Sequence, residues 1–226
     1  MNSDTSGFTR VISCIDGYNL YFGLGEKARR VAADGRVTAT DWKNFYWLDV
    51  VKLSETLLQK TQRLVQTKYF TARIRGNPAK ERRQSKFLDA ISALPNIRLY
   101  FGVFQPDPKQ CQNCGAIAFH PQEKRTDVNI ANQMICDAVA GRFDTALLIS
   151  GDSDHVPTIE TVRQTFGKNV IVAFPPKRES ADLQAVATAT FRIGKAKFES
   201  SLLPRPVILP NGRVIECPTE WVLASP

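Results

Sequence analysis

No apolar run in this 226-residue chain approaches the roughly 20 residues that a membrane-spanning helix needs. The first ten residues, MNSDTSGFTR, hold no apolar signal core, so a cytoplasmic location and no membrane partner are expected. Cysteine is scarce and odd in number. Five residues argue against a secreted disulfide framework and for a reducing compartment. Internal repeats and low-complexity tracts are absent. Acidic residues are also in deficit, 22 against 30 Lys and Arg, for a net charge of +8. That balance suits a polyanionic partner, nucleic acid first. The excess is spread through KARR, TARIRGNPAKERRQSK, PQEKR and PPKR and is not gathered into one tail.

What the chain does have is alternation. RVISCI, RLVQTKYFTAR, IRLYFGVF (Ile97 to Phe104), DTALLIS, NVIVAF and TFRI read as strands. Between them, Asp41 to Lys60 places Phe45, Leu48, Val51, Leu53 and Leu57 in a helical rhythm, and NPAKERRQSKFLDAISALP carries helix-start signals at Asn77 and Pro78. TDVNIANQMICDAVAGRF is a further helix, with Thr126 expected as N-cap and Gly141 as its stop. HVPTIETVRQTFG and SADLQAVATA complete the helices. Cys14 within a strand and Cys136 within a helix are expected in the core. Strands alternating with helices predict a mainly parallel sheet covered on both faces. QPDPKQCQNCGAIAFHPQEKR reads as a loop-like insert, and the chain beyond Gly194 as a short hairpin turning at Pro210-Asn211-Gly212.

Carboxylates gather in this pattern. Ligands of open α/β sheets bind beyond the carboxyl ends of the strands. Asp16 leaves the first strand there, Asp152 and Asp154 leave DTALLIS, and Asp127 opens the helix that leads into that strand. Singly, each has a plain structural explanation. Asp16 before Gly17 suits a turn, Asp127 a helix N-terminus, and Asp154 a cap with Pro157 in the following turn. Together they place four acids from three segments in one cleft, where like charges repel unless a cation lies between them. Mg²⁺ or Mn²⁺ is the expected cation, and the chemistry expected of it is phosphodiester hydrolysis. No Ser-His-Asp or Cys-His pairing has a persuasive context, which leaves water as the nucleophile.

CIDGYNLYFG, EKRTDVNIA and LLISGDSDHVPTIETVRQTFGKNVIVAFPP together resemble the three motifs of the NYN domain family, a branch of the PIN-like nucleases. The likeness runs from about Val11 to Ile193. It implies a Rossmann-like, PIN-type three-layer α/β sandwich over residues 1–193, with an insert at 105–125 and a hairpin extension at 194–226. It also implies metal-dependent ribonuclease chemistry with Asp16, Asp127, Asp152 and Asp154 as metal-binding acids. Asn19, Ser150 and Ser153 would be supporting polar residues. His155 departs from the apolar or aromatic residue expected after GDSD. It reads as a first-turn helix residue or as a contact to substrate or metal.

For substrate, expected to be single-stranded RNA with DNA as the alternative, the candidates are Tyr18, Arg73, Arg75, Lys124, Arg125, Lys177 and Arg178. Tyr18, Tyr21 and Phe22 stand beside Asp16, where an aromatic ring can stack on an unpaired base. Of these only Tyr18 is favoured, Phe22 being expected in the core. Cys111 and Cys114 form a CxxC with His120 six residues on, a possible structural Zn²⁺ knuckle. A fourth ligand would have to come from Cys136, Cys217, His155 or another subunit, and a metal-free turn is the simpler expectation. The C-terminal hairpin could pair with a second copy as a homodimer. Two other readings stand beside the nuclease. One is an RNA-binding or regulatory protein that keeps the acidic cleft without cutting. The other is a phosphatase of the haloacid dehalogenase kind, which would want a second Asp where Tyr18 stands.

Overall fold

The computed structural model describes residues 7–31, 33–39, 41–110, 114–115 and 117–222. In chain order it runs β1 (Thr9–Asp16), α1 (Gly17–Ala28), β2 (Arg29–Val31), β3 (Val37–Ala39), α2 (Val50–Thr56) and β4 (Gln62–Thr71). Then come α3 (Pro78–Ser92), β5 (Ile97–Phe101), β6 (Val103–Gln110), β7 (Ile117–Lys124), α4 (Thr126–Val139) and β8 (Thr145–Ile149). The chain ends with α5 (Val156–Glu160), β9 (Asn169–Phe174), α6 (Ala181–Val186), β10 (Ala189–Arg192), α7 (Lys195–Glu199), β11 (Val207–Ile208) and β12 (Val214–Ile215).

Six strands form one sheet in the order β10-β9-β8-β1-β4-β5, and every neighbouring pair is parallel. The chain therefore starts in the middle, builds outward through β4 and β5, and returns to the other side of β1 with β8. That return makes a switch point between β1 and β8, where a crevice opens beyond the strand ends.

Both faces of the sheet are covered, which is why its strands read as nearly continuous apolar runs. Successive side chains still alternate. Val11, Ile15, Leu147 and Ile149 join the core under α1, α2 and α3, while Ile12, Cys14, Ala146 and Leu148 join the one under α4, α5 and α6. The C-terminal segment feeds the first of these cores with Phe198, Leu203, Val207, Ile215, Cys217 and Trp221. Within the second layer, Lys68 of β4 and Asp137 of α4 are buried 2.6 Å apart. Gln133 accepts from the same ammonium at 2.8 Å, and Arg142 reaches the same carboxylate at 3.0 Å. An unpaired charge there would be costly, so each partner needs the other for α4 to pack on β4.

Four expectations change. The helix expected over Asp41 to Lys60 is two pieces, a 3₁₀ turn at Asp41–Tyr46 and α2. Between them the backbone pairs with a remote segment, Leu203 N donating to Trp47 O at 3.1 Å and Asp49 N to Ser201 O at 2.8 Å. Asp49 then caps α2 by accepting from Lys52 N. The strand expected over Ile97 to Phe104 breaks at Gly102, where a side chain would lie 2.5 Å from Lys124 O. The insert is no loop: β6 and β7 form an antiparallel hairpin. Finally, α4 begins one residue away from expectation. Arg125, at φ 76°, occupies the cap position, and the Thr126 hydroxyl donates to Glu123.

Candidate metal centre at the switch point

Asp16 ends β1 and caps α1, accepting from Asn19 N at 2.9 Å. Capping leaves its second oxygen available, and the buried Ser150 hydroxyl donates to that oxygen at 3.0 Å. Ser150 Oγ in turn accepts from Asp152 N at 3.1 Å, and Asp152 accepts from Asp154 N at 3.1 Å. Asn19 closes the loop, its side-chain oxygen accepting from Gly151 N at 3.0 Å. Asp16 and the Gly151–Asp154 turn are thus held by one short network across the switch point. The turn is also pressed against the Pro175–Arg178 segment: a Cβ on Gly151 would lie 1.5 Å from Arg178 O.

The four acids predicted to converge do so. One oxygen from each of Asp127, Asp152 and Asp154 lies within 4.8 Å of the others, and ligand atoms of Asp16, Asp127 and His155 form a second such group. Asp16 is buried, Asp127 and Asp152 are half-buried, and Asp154 is exposed. Asp127 shows the electrostatic cost: burial pushes its pKa up to about 6, with Asp16, Asp152 and Glu123 adding to the rise and His155 opposing it. Burial and the neighbouring carboxylates together disfavour the ionised form of Asp127, and a cation among them would favour it. The sequence reading missed Glu123, which accepts from Thr126 N at 3.1 Å and so caps α4 within the same acidic field.

His155 is almost wholly buried, and its Nε2 has no hydrogen-bond partner among the described residues. Ser153 is exposed. Oxygen donors from several segments, with one unpaired imidazole nitrogen beside them, suit a divalent cation. The donor set therefore fits the metal that the sequence pattern implies.

The candidate substrate contacts divide. Lys124 and Arg125 are exposed beside Asp127, and Arg73 is exposed with its guanidinium 4.9 Å over the ring of Phe101. Arg75 is also exposed. Lys177 reaches Glu26 O at 3.5 Å, and Arg178 is paired with Glu26 and lies 5.9 Å from the centre of the Phe22 ring. Tyr18 gives its hydroxyl to Ala72 O at 2.9 Å, leaving its half-buried ring between Phe22 and Phe104, each 6.0 Å away. Phe22 is not a core residue; it is 51% exposed. The buried side chains of α1 include Leu20, Leu24 and Ala28, and Phe22 stands away from that stripe. Cys136 is exposed for the same reason, opposite Ile130, Met134 and Ala138 on α4. Cys14 is buried as expected, and burial pushes its thiol up to about 12. Of the zinc knuckle, Cys111 lies outside the described residues, Cys114 is exposed, and His120 falls in β7. A separate cavity of about 70 Å³ lies under α1 and α3, lined by Tyr21, Tyr46, Tyr69, Gln84 and Trp221 among others.

Comparison with known proteins agrees with this architecture. A family model described as NYN domain matches residues 10–194. The 6-hydroxy-3-succinoylpyridine 3-monooxygenase HspA of Pseudomonas putida (strain DSM 28022 / S16) is 25% identical over 248 residues, covering 92% of this chain and 73% of that protein. The crystal structure of a protein of unknown function from Vibrio parahaemolyticus RIMD 2210633 superposes with a TM-score of 0.51 at 19% identity. That match covers 90% of this chain and all of the Vibrio chain, and shows the shared fold. With the family match spanning most of its length, this chain belongs to the NYN domain family, and its fold is of the nuclease type.

Proposed function

We propose that this protein is a metal-dependent endoribonuclease that hydrolyses phosphodiester bonds of single-stranded RNA in the cytoplasm. The observation that carries the reading is the convergence of Asp16, Asp127, Asp152 and Asp154 in two overlapping groups that share Asp127. Carboxylates brought this close repel one another unless a cation lies among them. Asp16, Asp127, Asp152 and Asp154 would hold Mg²⁺ or Mn²⁺, which when bound supplies charge neutralisation at the phosphodiester and a more acidic water.

The remaining steps belong to the protein. Ser150 and Asn19 hold Asp16 and the Gly151–Asp154 turn at fixed separation, so that the acids approach the scissile phosphate as one unit. Lys124, Arg125 and Arg73 supply positive charge along the cleft for the backbone on either side. The ring of Tyr18, extended by the exposed Phe22, offers an unpaired base a surface to stack on. Stacking of that kind favours single strands, whose bases are free to turn outward.

The test is cleavage of end-labelled single-stranded RNA by the purified protein with EDTA, Mg²⁺ or Mn²⁺, beside Asp152→Asn and a matched DNA. Metal-dependent cutting that the variant loses is the expected result. Binding without cutting would replace the enzyme with a regulatory RNA-binding protein. Equal cutting by both proteins would expose a contaminant. The oxygenase name of the Pseudomonas relative supplies a control. Hydrolysis consumes water and no dioxygen, so the rate should be the same in anaerobic buffer.

A further inference from the structure

His155 is one of the chain's two histidines, and it occupies an unusual position. It follows the acidic turn directly, yet its side chain is turned inward and is only 1% exposed. Its Nε2 is buried without a hydrogen-bond partner among the described residues. The nearest carboxylate oxygen, Asp16 Oδ2, is 4.0 Å away, beyond hydrogen-bonding range. A buried nitrogen left in that state costs free energy. Packing alone gives no reason for a histidine here, because an apolar side chain would fill the space without that cost.

One ligand atom from each of Asp16, Asp127 and His155 lies within 4.8 Å of the other two. Two ligands on one ion, each about 2.1 Å from it, are at most about 4.2 Å apart, so sub-ångström closing would bring all three onto a single cation. The other acidic group, Asp127, Asp152 and Asp154, is made of oxygen donors only and shares Asp127 with the first.

We infer that His155 is a metal ligand and that, with Asp16 and Asp127, it makes the cleft select a first-row transition metal such as Mn²⁺ over Mg²⁺. The inference rests on the proposal that the acidic cleft holds a divalent cation, and it specifies which one. Mg²⁺ is a hard ion that keeps oxygen ligands and several waters, and it gains little from an imidazole. First-row transition ions, Mn²⁺ the weakest among them, accept imidazole nitrogen more readily than Mg²⁺ does, so a single nitrogen donor shifts preference without altering the carboxylates. The unpaired Nε2 then has its partner, and the positive charge missing from the cluster comes from the same ion.

Paramagnetic Mn²⁺ is itself the probe. The full chain is stripped with EDTA and titrated with Mn²⁺ by electron paramagnetic resonance, then competed with Mg²⁺. Electron spin-echo modulation next reports whether nitrogen-14 lies in the coordination shell. The expected result is Mn²⁺ bound at least about tenfold more tightly than Mg²⁺, with nitrogen modulation. His155→Leu should lose both the modulation and most of that preference while retaining Mg²⁺. Asp152→Asn should weaken both ions together. Mn²⁺ that binds in an Asp152-dependent way without nitrogen modulation overturns the role of His155 and leaves the acidic metal cleft standing. No Mn²⁺ bound by the wild-type protein overturns both. If His155→Leu does not fold, the wild-type spin-echo result decides alone.

Discussion

Gly151 is where the fold and the site meet most tightly. A methyl group added there would sit 1.5 Å from Arg178 O and 2.5 Å from Arg178 C. Real Cβ atoms keep at least 3.0 Å from such neighbours, so the acidic turn and the Pro175–Arg178 segment would have to separate by about 1.5 Å. Both partners are backbone, so no rotamer change relieves the clash. Moving the turn that far breaks the 3.0 Å bond from Gly151 N to Asn19. Overpacking of about 1–3 kcal/mol plus roughly 1 kcal/mol for the lost hydrogen bond predicts a destabilisation of about 2–4 kcal/mol. For a chain of this size that lowers the melting temperature by roughly 5–15 °C. Asp152 and Asp154 move with the turn while Asp16 stays on β1, and a 1 Å misplacement costs about 100-fold in rate. Calorimetry of Gly151→Ala beside Gly194→Ala checks this. Gly194, the N-cap of α7, has nothing within 4 Å and a φ of −76°, so its variant loses only the cap preference for glycine and should stay within about 1 kcal/mol of wild type. A Gly151→Ala protein that melts and binds metal like the wild type would refute the close-approach argument.

Three further outcomes follow from the same geometry. Asp152→Asn keeps the cap, since an amide oxygen also accepts from Asp154 N, and removes one charge from the cluster. The metal-free variant should gain about 1 kcal/mol while losing divalent-ion binding, and lower stability in urea would count against carboxylate crowding. The raised pKa of Asp127 has a signed consequence. Its folded value, about 6, exceeds the usual 3.8, so the folded state holds the proton more tightly. That contribution is complete below about pH 4 and is lost as pH rises to about 6. The stability of metal-free Asp127→Asn relative to wild type should therefore grow between pH 4 and 6, and a pH-independent difference in urea midpoint would sink the assignment. Asp137→Ala strands the buried ammonium of Lys68 and should cost about 3–5 kcal/mol, most of it recovered when Lys68→Met is added. A loss under about 1 kcal/mol in the single variant would show that the pair does not anchor α4.

The parts of this molecule visible in its sequence are those governed by local rules. The buried strands appear as apolar runs because both faces of a parallel sheet are covered, and α3 announces itself through Asn77 and Pro78. The convergence of four acids could be read because strand ends in such a sheet share one edge. What could not be read depended on partners remote in sequence. The break between Phe45 and Val51 is made by hydrogen bonds from Asp49 N to Ser201 O and from Leu203 N to Trp47 O, and no local signal announces them. Pro106 and Pro108 made β6 look like a loop, yet in a two-stranded hairpin every strand is an edge and proline is tolerated there. Lys68 and Asp137 look like ordinary surface charges until the fold buries them together. Helix phase, by contrast, is a local rule that the sequence carries: Phe22 and Cys136 stand two residues from the buried Leu24 and Ala138, about 200° around the helix.

His155 shows most clearly where local reading ends. As a residue following GDSD it looks like part of an exposed first turn, and its neighbours Ser153 and Asp154 are indeed exposed. The turn reverses so sharply between Asp152 and Val156 that the next side chain points back beneath Asp16. Hydrogen bonds from Ser150 to Asp16 and from Gly151 to Asn19 set that reversal, and both cross the switch point to α1 and β1. The residues that assemble the acids therefore also aim the imidazole. Any substitution that loosens the turn, Gly151→Ala first among them, should disturb metal preference as well as affinity. Mn²⁺ and Mg²⁺ affinities that fell by the same factor in Gly151→Ala would separate the imidazole from the turn that carries it.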